Sequence, residues 1–307
     1  MITTFKENYA TLFATSTIAL VLLCVFKTFS GDTYIVDGNI HDLWLPLNAA
    51  YALQTGAVPH LTFNSPFGAL YFIFSNNALV LIDAFPEILN YPDIHFLSTL
   101  QFLVLLVSIY LVMRATSAQE YRIPLWFLAI LVALSFQTRE IDNFAELIPN
   151  WYGIYNSHLW ALTLLQAANL YLWQLRKQTT FGTVLLALIH VVILLVALNY
   201  KISFAVAIGV LCLAPYIFLG SVRRVVLYTV VGVVGVSFGL LLISLTGFSY
   251  PNYLADILFA AKSKATGTTN VGVHLLIIAF FLIAMQVVRN HDNDDLPQEQ
   301  DIFRWWV

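Results

Sequence analysis

Apolar runs long enough to cross a lipid bilayer recur along almost the whole chain, and they leave it few folds to choose from. A hydrocarbon core about 30 Å thick takes roughly 20 residues of helix, and runs of this kind at 9–29, 96–114, 122–137, 157–174, 181–200, 201–219, 225–246 and 271–289 make about eight crossings. Without water to serve backbone N–H and C=O groups, such segments satisfy them internally as helix. The expected fold class is therefore all-α, a polytopic transmembrane helix bundle. Composition points the same way: 60% of the 307 residues are hydrophobic and 10% are charged, with a mean hydropathy of +0.80. A soluble domain would carry about 25% charged residues. The net charge of −3, from 14 basic and 17 acidic residues, leaves no basic stripe to track a phosphate backbone and excludes nucleic acid as a partner. Cys24 and Cys212 both lie in apolar runs and read as small core residues rather than as a disulfide or metal pair.

The first run follows Lys6 and is too long for the core of a cleavable signal peptide, so it reads as a retained signal anchor with the N-terminus in the cytoplasm. One stretch, 65–83, is apolar but interrupted by Pro66, Gly68, Asn76 and Asn77. If it does not cross, the loops carrying Arg114 and Arg122, Arg176 and Lys177, and Arg223 and Arg224 all share a side with Lys6 and Arg289, which is the positive-inside pattern. The stretch is therefore expected at the outer interface, re-entrant or in the membrane plane. The organisation that follows is a membrane module over 1–289 with a first outer loop at 30–95, then an acidic polar tail at 290–307 on the cytoplasmic side. The expected location is the cytoplasmic (inner) membrane, with the polar chemistry facing outward.

That outward face collects carboxylates. Residues 30–95 hold Asp32, Asp37, His41, Asp42, His60, Asp83, Glu87, Asp93 and His95 with no Lys or Arg, and residues 138–156 add Arg139, Glu140, Asp142, Glu146, Asn150, Trp151, Tyr152 and Asn156. Leu43, Leu45, Leu47, Ala50, Tyr51 and Leu53 form a mainly apolar stripe at helical spacing, so the first outer loop is expected to hold an in-plane amphipathic helix with Asp42 at its start. There a carboxylate accepts backbone N–H groups, so helix capping stands as the plain reading of Asp42.

In order and spacing these features resemble the GT-C glycosyltransferases, integral membrane enzymes that take a sugar from a polyprenyl-phosphate or polyprenyl-diphosphate carrier. A first span is followed by an acidic motif, here Asp37 and the pair His41 and Asp42. Then comes a helix ending in Leu53, Gly56, Pro59 and His60, and next "FNSPFGALYF", similar to the segment opening the second in-plane helix of protein O-mannosyltransferases and aminoarabinose transferases. A second acidic outer loop, "REIDNFAE", falls where that family has one. The likeness covers roughly the first 200 residues and consists of loose spacing rather than an invariant word. It departs from the family in having no Glu beside either Asp, and in ending at "DIFRWWV" where members commonly continue, which reads as a truncated product or a minimal member.

The resemblance implies sugar transfer at the outer face from a polyprenyl-phosphate-linked donor to a glycan, lipid or protein acceptor. Such a transfer needs a base for the acceptor hydroxyl and a group that stabilises charge on the leaving phosphate. Asp42 is the expected base, with Asp37 as the alternate. Lys201, in "NYKIS" at the end of a span, is the expected phosphate partner, with Arg139, Lys262 and Lys264 in the same role. A snorkelling lysine, or one paired with Asp142 or Glu146, is the competing reading for Lys201. His41, His60, Trp151, Tyr152, Asn156 and His158 are candidate substrate contacts, although aromatics at a span head also form the ordinary interfacial belt.

Asp142 and Glu146 are four apart and would share a face if helical, so that with Asp42 they offer hard oxygen ligands for a divalent ion, Mg or Mn. An exposed polar face, or a pair with Arg139, is the alternative. No phosphate-binding loop, dinucleotide fingerprint, zinc-spaced Cys/His set or nucleophile elbow occurs in the sequence. His190 and His274 lie in spans without an evident partner. Two readings of other classes stay open, a lipid or solute transporter (a flippase included) and a non-catalytic membrane subunit. The scarcity of charge in mid-span argues against the first.

Overall fold

The structure is a computed structural model. It describes residues 40–63, 65, 67–89, 91–116, 138–141, 146–149, 154–174 and 179–263, and for some of these, 40–44, 138–141, 146–149, 154–157 and 260–263 among them, the backbone alone. The expected spans at 9–29, 122–137 and 271–289 and the tail at 290–307 lie outside the described residues.

Apart from one small hairpin, the described chain is helical. Helix α1 covers Ile40–Gln54 and α2 Ala69–Ala84, and a 3-10 turn at Tyr91–Asp93 leads into α3, Ile94–Thr116. Strands β1, Thr138–Ile141, and β2, Glu146–Pro149, pair antiparallel with Ile141 opposite Glu146. Helices α4, Ile154–Gln174; α5, Thr180–Tyr200; α6, Ile202–Leu211; α7, Pro215–Phe218; α8, Val222–Ser244; and α9, Tyr250–Ser263, complete the order.

Three of these helices are long and apolar enough to cross a membrane: Ile94–Met113 within α3, Thr180–Tyr200 and Val222–Ser244. They mark the chain as a membrane protein. Helix α2 has 16 residues. At 1.5 Å per residue it spans about 24 Å, less than the hydrocarbon core.

Two expectations are corrected. The single run at 201–219 is two helices, because Pro215 has no N–H to continue α6 and the chain turns through 212–214 before α7. The second concerns 138–149. Glu146 lies in a strand of the β1–β2 hairpin, so the spacing of Asp142 and Glu146 does not put them on a helix face.

Side-chain contacts set the direction of the helices. The His158 ring meets the Tyr200 hydroxyl at 2.7 Å through Nδ1 and Thr99 Oγ1 at 3.2 Å through Nε2, so α3 and α4 begin at the end of the bundle where α5 finishes. Helices α6 and α7 carry the chain back, and α8 then runs parallel to α5. A Cβ at Gly235 would come within 3.0 Å of Val191 Cγ2, and one at Gly239 would overlap Leu195 Cδ1. Glycines four apart let two membrane helices approach closely and gain contact where no hydrophobic drive separates protein from lipid. The opposite side of α8 exposes Val230, Val233, Val234, Phe238 and Leu241, as suits a helix bathed in lipid.

The main core joins Ala49 of α1, Tyr71 and Phe72 of α2, Phe102 and Leu106 of α3, Leu162 and Leu165 of α4, Ile193 and Tyr200 of α5, and Ile208 of α6. Gly239→Leu should therefore push α8 off α5 and lower stability by about 1–3 kcal/mol. Gly232→Leu, where a Cβ meets nothing within 4 Å, should leave stability nearly unchanged. Thermal melting of both variants in detergent checks the pair, and equal melting would deny the close approach.

Candidate functional site

The segment between α1 and α2 is held by its own backbone before it touches anything else. Gly56 ends α1 in the left-handed region (φ 80), with its N–H donating to the Leu53 carbonyl at 3.0 Å and the Ala57 N–H to Ala52 at 2.8 Å. This pattern satisfies the last carbonyls of a helix, and glycine adopts it without steric cost. Thr62 then closes a tight loop, its Oγ1 accepting from the Val58 N–H at 3.0 Å. The His60 N–H donates to the Phe63 carbonyl at 3.0 Å. His60 itself has φ 66, which is uncommon for a residue with a side chain and persists only where its surroundings hold it.

Those surroundings are specific. The buried imidazole places Nδ1 2.7 Å from Asp256 Oδ2 on α9 and Nε2 3.1 Å from the Phe67 carbonyl. Both partners accept hydrogen bonds, so whichever ring nitrogen carries a hydrogen has an acceptor to meet. The ring also packs against Tyr253, Phe248 and Phe72, with centroids at 4.7, 5.1 and 5.9 Å. Asp256 Oδ2 takes a second hydrogen bond from the Ser65 N–H at 3.2 Å, so one carboxylate fastens both ends of the 60–65 turn.

Next along the chain, the Gly68 N–H donates to the Tyr200 carbonyl at 3.1 Å. A Cβ at Gly68 would lie 2.5 Å from the Asn199 carbonyl carbon, so only glycine admits this crossing. From α9, the Tyr253 hydroxyl accepts from the Ile202 N–H at 3.2 Å and donates to Leu198, and the Tyr250 hydroxyl donates to Asn199 Oδ1 at 2.6 Å. Burial raises both phenols above their ordinary value, Tyr250 to about 12 against the opposing effect of its bond to Asn199.

Beside this junction lies a cleft of about 450 Å³, lined by Leu45, Asn48, Ala49 and Ala52 of α1, by Thr55, Ala57, Thr62, Phe63, Ser65 and Phe67 of the turn, and by Tyr71 and Phe72 of α2. Among the described residues its wall has no charged side chain. It combines aromatic rings and methyl groups with one amide and several hydroxyls, a lining suited to the apolar and hydroxylated parts of a ligand.

The sequence-derived candidates are spread unevenly over this arrangement. Residues 41 and 42 belong to α1, one turn ahead of Leu45, but their side chains are outside the described residues, as are Asp37, Asp142, Trp151, Tyr152 and Lys264. Arg139, Glu146, Asn156 and Lys262 are described in backbone only, on β1, β2, α4 and α9 respectively. Lys201 is half-buried in extended backbone between α5 and α6, next to the residues that meet Gly68 and Tyr253. His60 is adjacent to the cleft but both its ring nitrogens are engaged, so it holds the wall rather than presenting a free nitrogen. His158 is 1% exposed and stacked on Phe102 at 4.6 Å, inside the helix bundle.

Asp256 was not among those candidates. Its signal in the sequence was a lone acid within the otherwise uncharged run "YPNYLADILFAA", and its partner is 196 positions away. Among the described residues, no group of three or more His, Cys, Asp or Glu is placed to hold a metal ion. Comparisons with protein-family models, with curated proteins and with solved structures give no match to this chain.

Asp256→Ala should destabilise the protein by about 1–3 kcal/mol, since the buried His60 loses its partner. His60→Ala combined with Asp256→Ala should cost less than the sum of the two single changes, and additive effects in detergent melting would show that the two do not act as a pair. Tyr250 contributes stability that is complete below pH 10 and lost as pH rises from 10 through about 12, because its protonated form is favoured in the fold. A melting series across that window should show the loss, and Tyr250→Phe should reduce it, leaving the share that the likewise raised Tyr253 contributes.

Proposed function

We propose that the chain is a membrane glycosyltransferase that moves a sugar from a polyprenyl-phosphate or -diphosphate carrier to an acceptor hydroxyl at the outer face of a multi-pass bundle of about eight crossings. The observation that carries this reading is the cleft on α1. Its wall, with Asn48, Thr55, Thr62 and Ser65 set among Phe63, Phe67, Tyr71 and Phe72, has the mixed apolar and hydroxyl-binding character that a sugar ring on an isoprenoid chain requires. The helix forming one side of the cleft carries His41 and Asp42 in its first turn.

In this reading Asp42 takes the proton from the acceptor hydroxyl as it attacks the anomeric carbon, with Asp37 as the alternate base. The phosphate leaves with the electron pair of the broken glycosidic bond, and its growing charge is met by Lys201, with Arg139, Lys262 and Lys264 as the further cations of the outer face. Lys201 suits this role by position, since the Gly68–Tyr200 hydrogen bond ties its stretch of chain to the cleft wall. A divalent ion held by Asp42, Asp142 and Glu146 would assist the same leaving group.

The test is transfer in reconstituted vesicles from a panel of labelled polyprenyl-phosphate sugars. Asp42→Asn should abolish transfer while leaving insertion intact, Ala49→Trp should block it by filling the cleft, and Lys201→Ala should chiefly raise the donor KM. Wild-type rates in Asp42→Asn would remove that residue as the base, and an unchanged KM in Lys201→Ala would remove the phosphate contact. A transport reading draws on one observation, the interrupted helix pair α6 and α7. It predicts lipid or solute flux across the same vesicles that Asp42→Asn leaves unchanged.

A further inference from the structure

The interior of the bundle contains a second polar region, away from the cleft and unrelated to sugar transfer. It begins at the break between α6 and α7. With no N–H on Pro215, and with the Tyr216 N–H turned to the Leu213 carbonyl at 3.1 Å, the Cys212 carbonyl is left for a side chain to satisfy. The Tyr228 hydroxyl of α8 does so, donating at 2.8 Å. That hydroxyl has one hydrogen and has now given it away, so its contact with His190 Nδ1 at 2.6 Å runs the other way, with Nδ1–H as donor. The His190 tautomer is thereby set, and Nε2 carries a bare lone pair.

His190 is 2% exposed, and among the described residues its Nε2 has no hydrogen-bond partner. Among the described residues three further buried side-chain atoms share this condition: Asn76 Oδ1 on α2, and Gln166 Oε1 and Asn169 Nδ2, both on α4. One contact and the helix register direct the two α4 residues towards His190. The Gln166 amide nitrogen lies 3.6 Å from Cys212 Sγ, beside the carbonyl that Tyr228 holds. Asn169 is eleven residues, three helical turns, beyond His158, and so lies on the face of α4 that His158 turns to Tyr200 of α5. Trp173 of α4 shares a cluster with Leu186 and Ala187 of α5. Between those two anchors the antiparallel register brings Asn169 to the level of His190.

The three atoms thus comprise one donor and two acceptors, Asn169 Nδ2 against Gln166 Oε1 and His190 Nε2. We propose that they form an internal site, at the α6–α7 break, for a water molecule, which has two hydrogens to give and a lone pair to receive. The chemistry follows from matching. Buried polar groups in proteins are bonded to protein or to ordered water, and a water with three partners is the common arrangement. An ion would find no charged side chain among these three residues, and an apolar guest would leave all three atoms unserved.

The test uses the full chain in lipid nanodiscs with isotope-labelled histidine, and measures magnetisation transfer from water to the imidazole nitrogens. The His190 signal is identified by its loss in His190→Gln. The expected result is an Nδ1–H tautomer whose Nε2 receives transfer from water, with that transfer lost in Gln166→Leu/Asn169→Leu while the Nδ1–H signal of the Tyr228 bond remains. An Nε2–H tautomer, or the absence of water transfer to His190 in the unmodified chain, would overturn the proposal. Persistence of the transfer in the double variant would overturn the assignment of Gln166 and Asn169 as its other partners.

Discussion

In a membrane interior every backbone polar group must find its partner within the protein, and the turn at the end of α5 is where this chain meets that demand with its tertiary structure. Lys201 is extended between two helices, which leaves backbone groups on either side of it outside a continuous helical ladder. Gly68 serves the Tyr200 carbonyl, and Tyr253 serves Ile202 and Leu198. Those partners come from the turn ahead of α2 and from α9, so closing the α5–α6 junction forces these two distant segments together. Once they meet, His60 and Asp256 are close enough to lock them, and the unfavourable φ of His60 is tolerated because both ring nitrogens and three aromatic rings hold it in place.

The cleft follows from that junction. One wall comes from Thr55, Ala57, Thr62, Phe63, Ser65 and Phe67, whose placement is owed to Gly56, Thr62 and the Asp256 carboxylate. The opposite wall is α1, a helix whose Leu47, Ala49 and Ala50 are buried while Asn48 is exposed. A ligand there would rest between a rigid helix and a turn anchored from across the bundle. Pre-ordered walls of this kind reduce what binding must spend on ordering the protein.

The bundle behind the cleft is held differently. Helices α5 and α8 approach through glycine contacts, and among the described residues the polar side chains buried within α4 and α5 are His158, Gln166, Asn169, Thr183, His190 and Asn199. The break at Pro215 removes hydrogen bonds from a single helix and is compensated by Tyr228 and His190 from two others. The polar interior therefore depends on three helices keeping their register, and the close packing of α5 on α8 maintains it.

Much of this was legible in the sequence, and for a physical reason. Hydrocarbon thickness sets the length of an apolar run and excludes other secondary structure, so the apolar runs at 96–114, 181–200 and 225–246 correspond to α3, α5 and α8 to within a few residues. Glycine chemistry is equally local, and Gly56 stops α1 where such a residue must; Pro215 acts just as locally, yet the unbroken apolar run at 201–219 outweighed it and read as one span. The Gly235 and Gly239 pair was present in the sequence too, but its partner helix was not. What sequence reasoning could not reach were relations across distance: that Asp256 is the partner of His60, that His158 faces Thr99 and Tyr200, and that 138–149 contains a hairpin. Apolar length and turn residues act on the chain within a few positions, whereas a hydrogen bond between residues 60 and 256 exists only because the helices between them return to one place. The sequence by itself determined a membrane helix bundle and where several of its helices stop. The tertiary structure alone decided which polar groups share a site, because burial obliges each to find a partner and only packing supplies one.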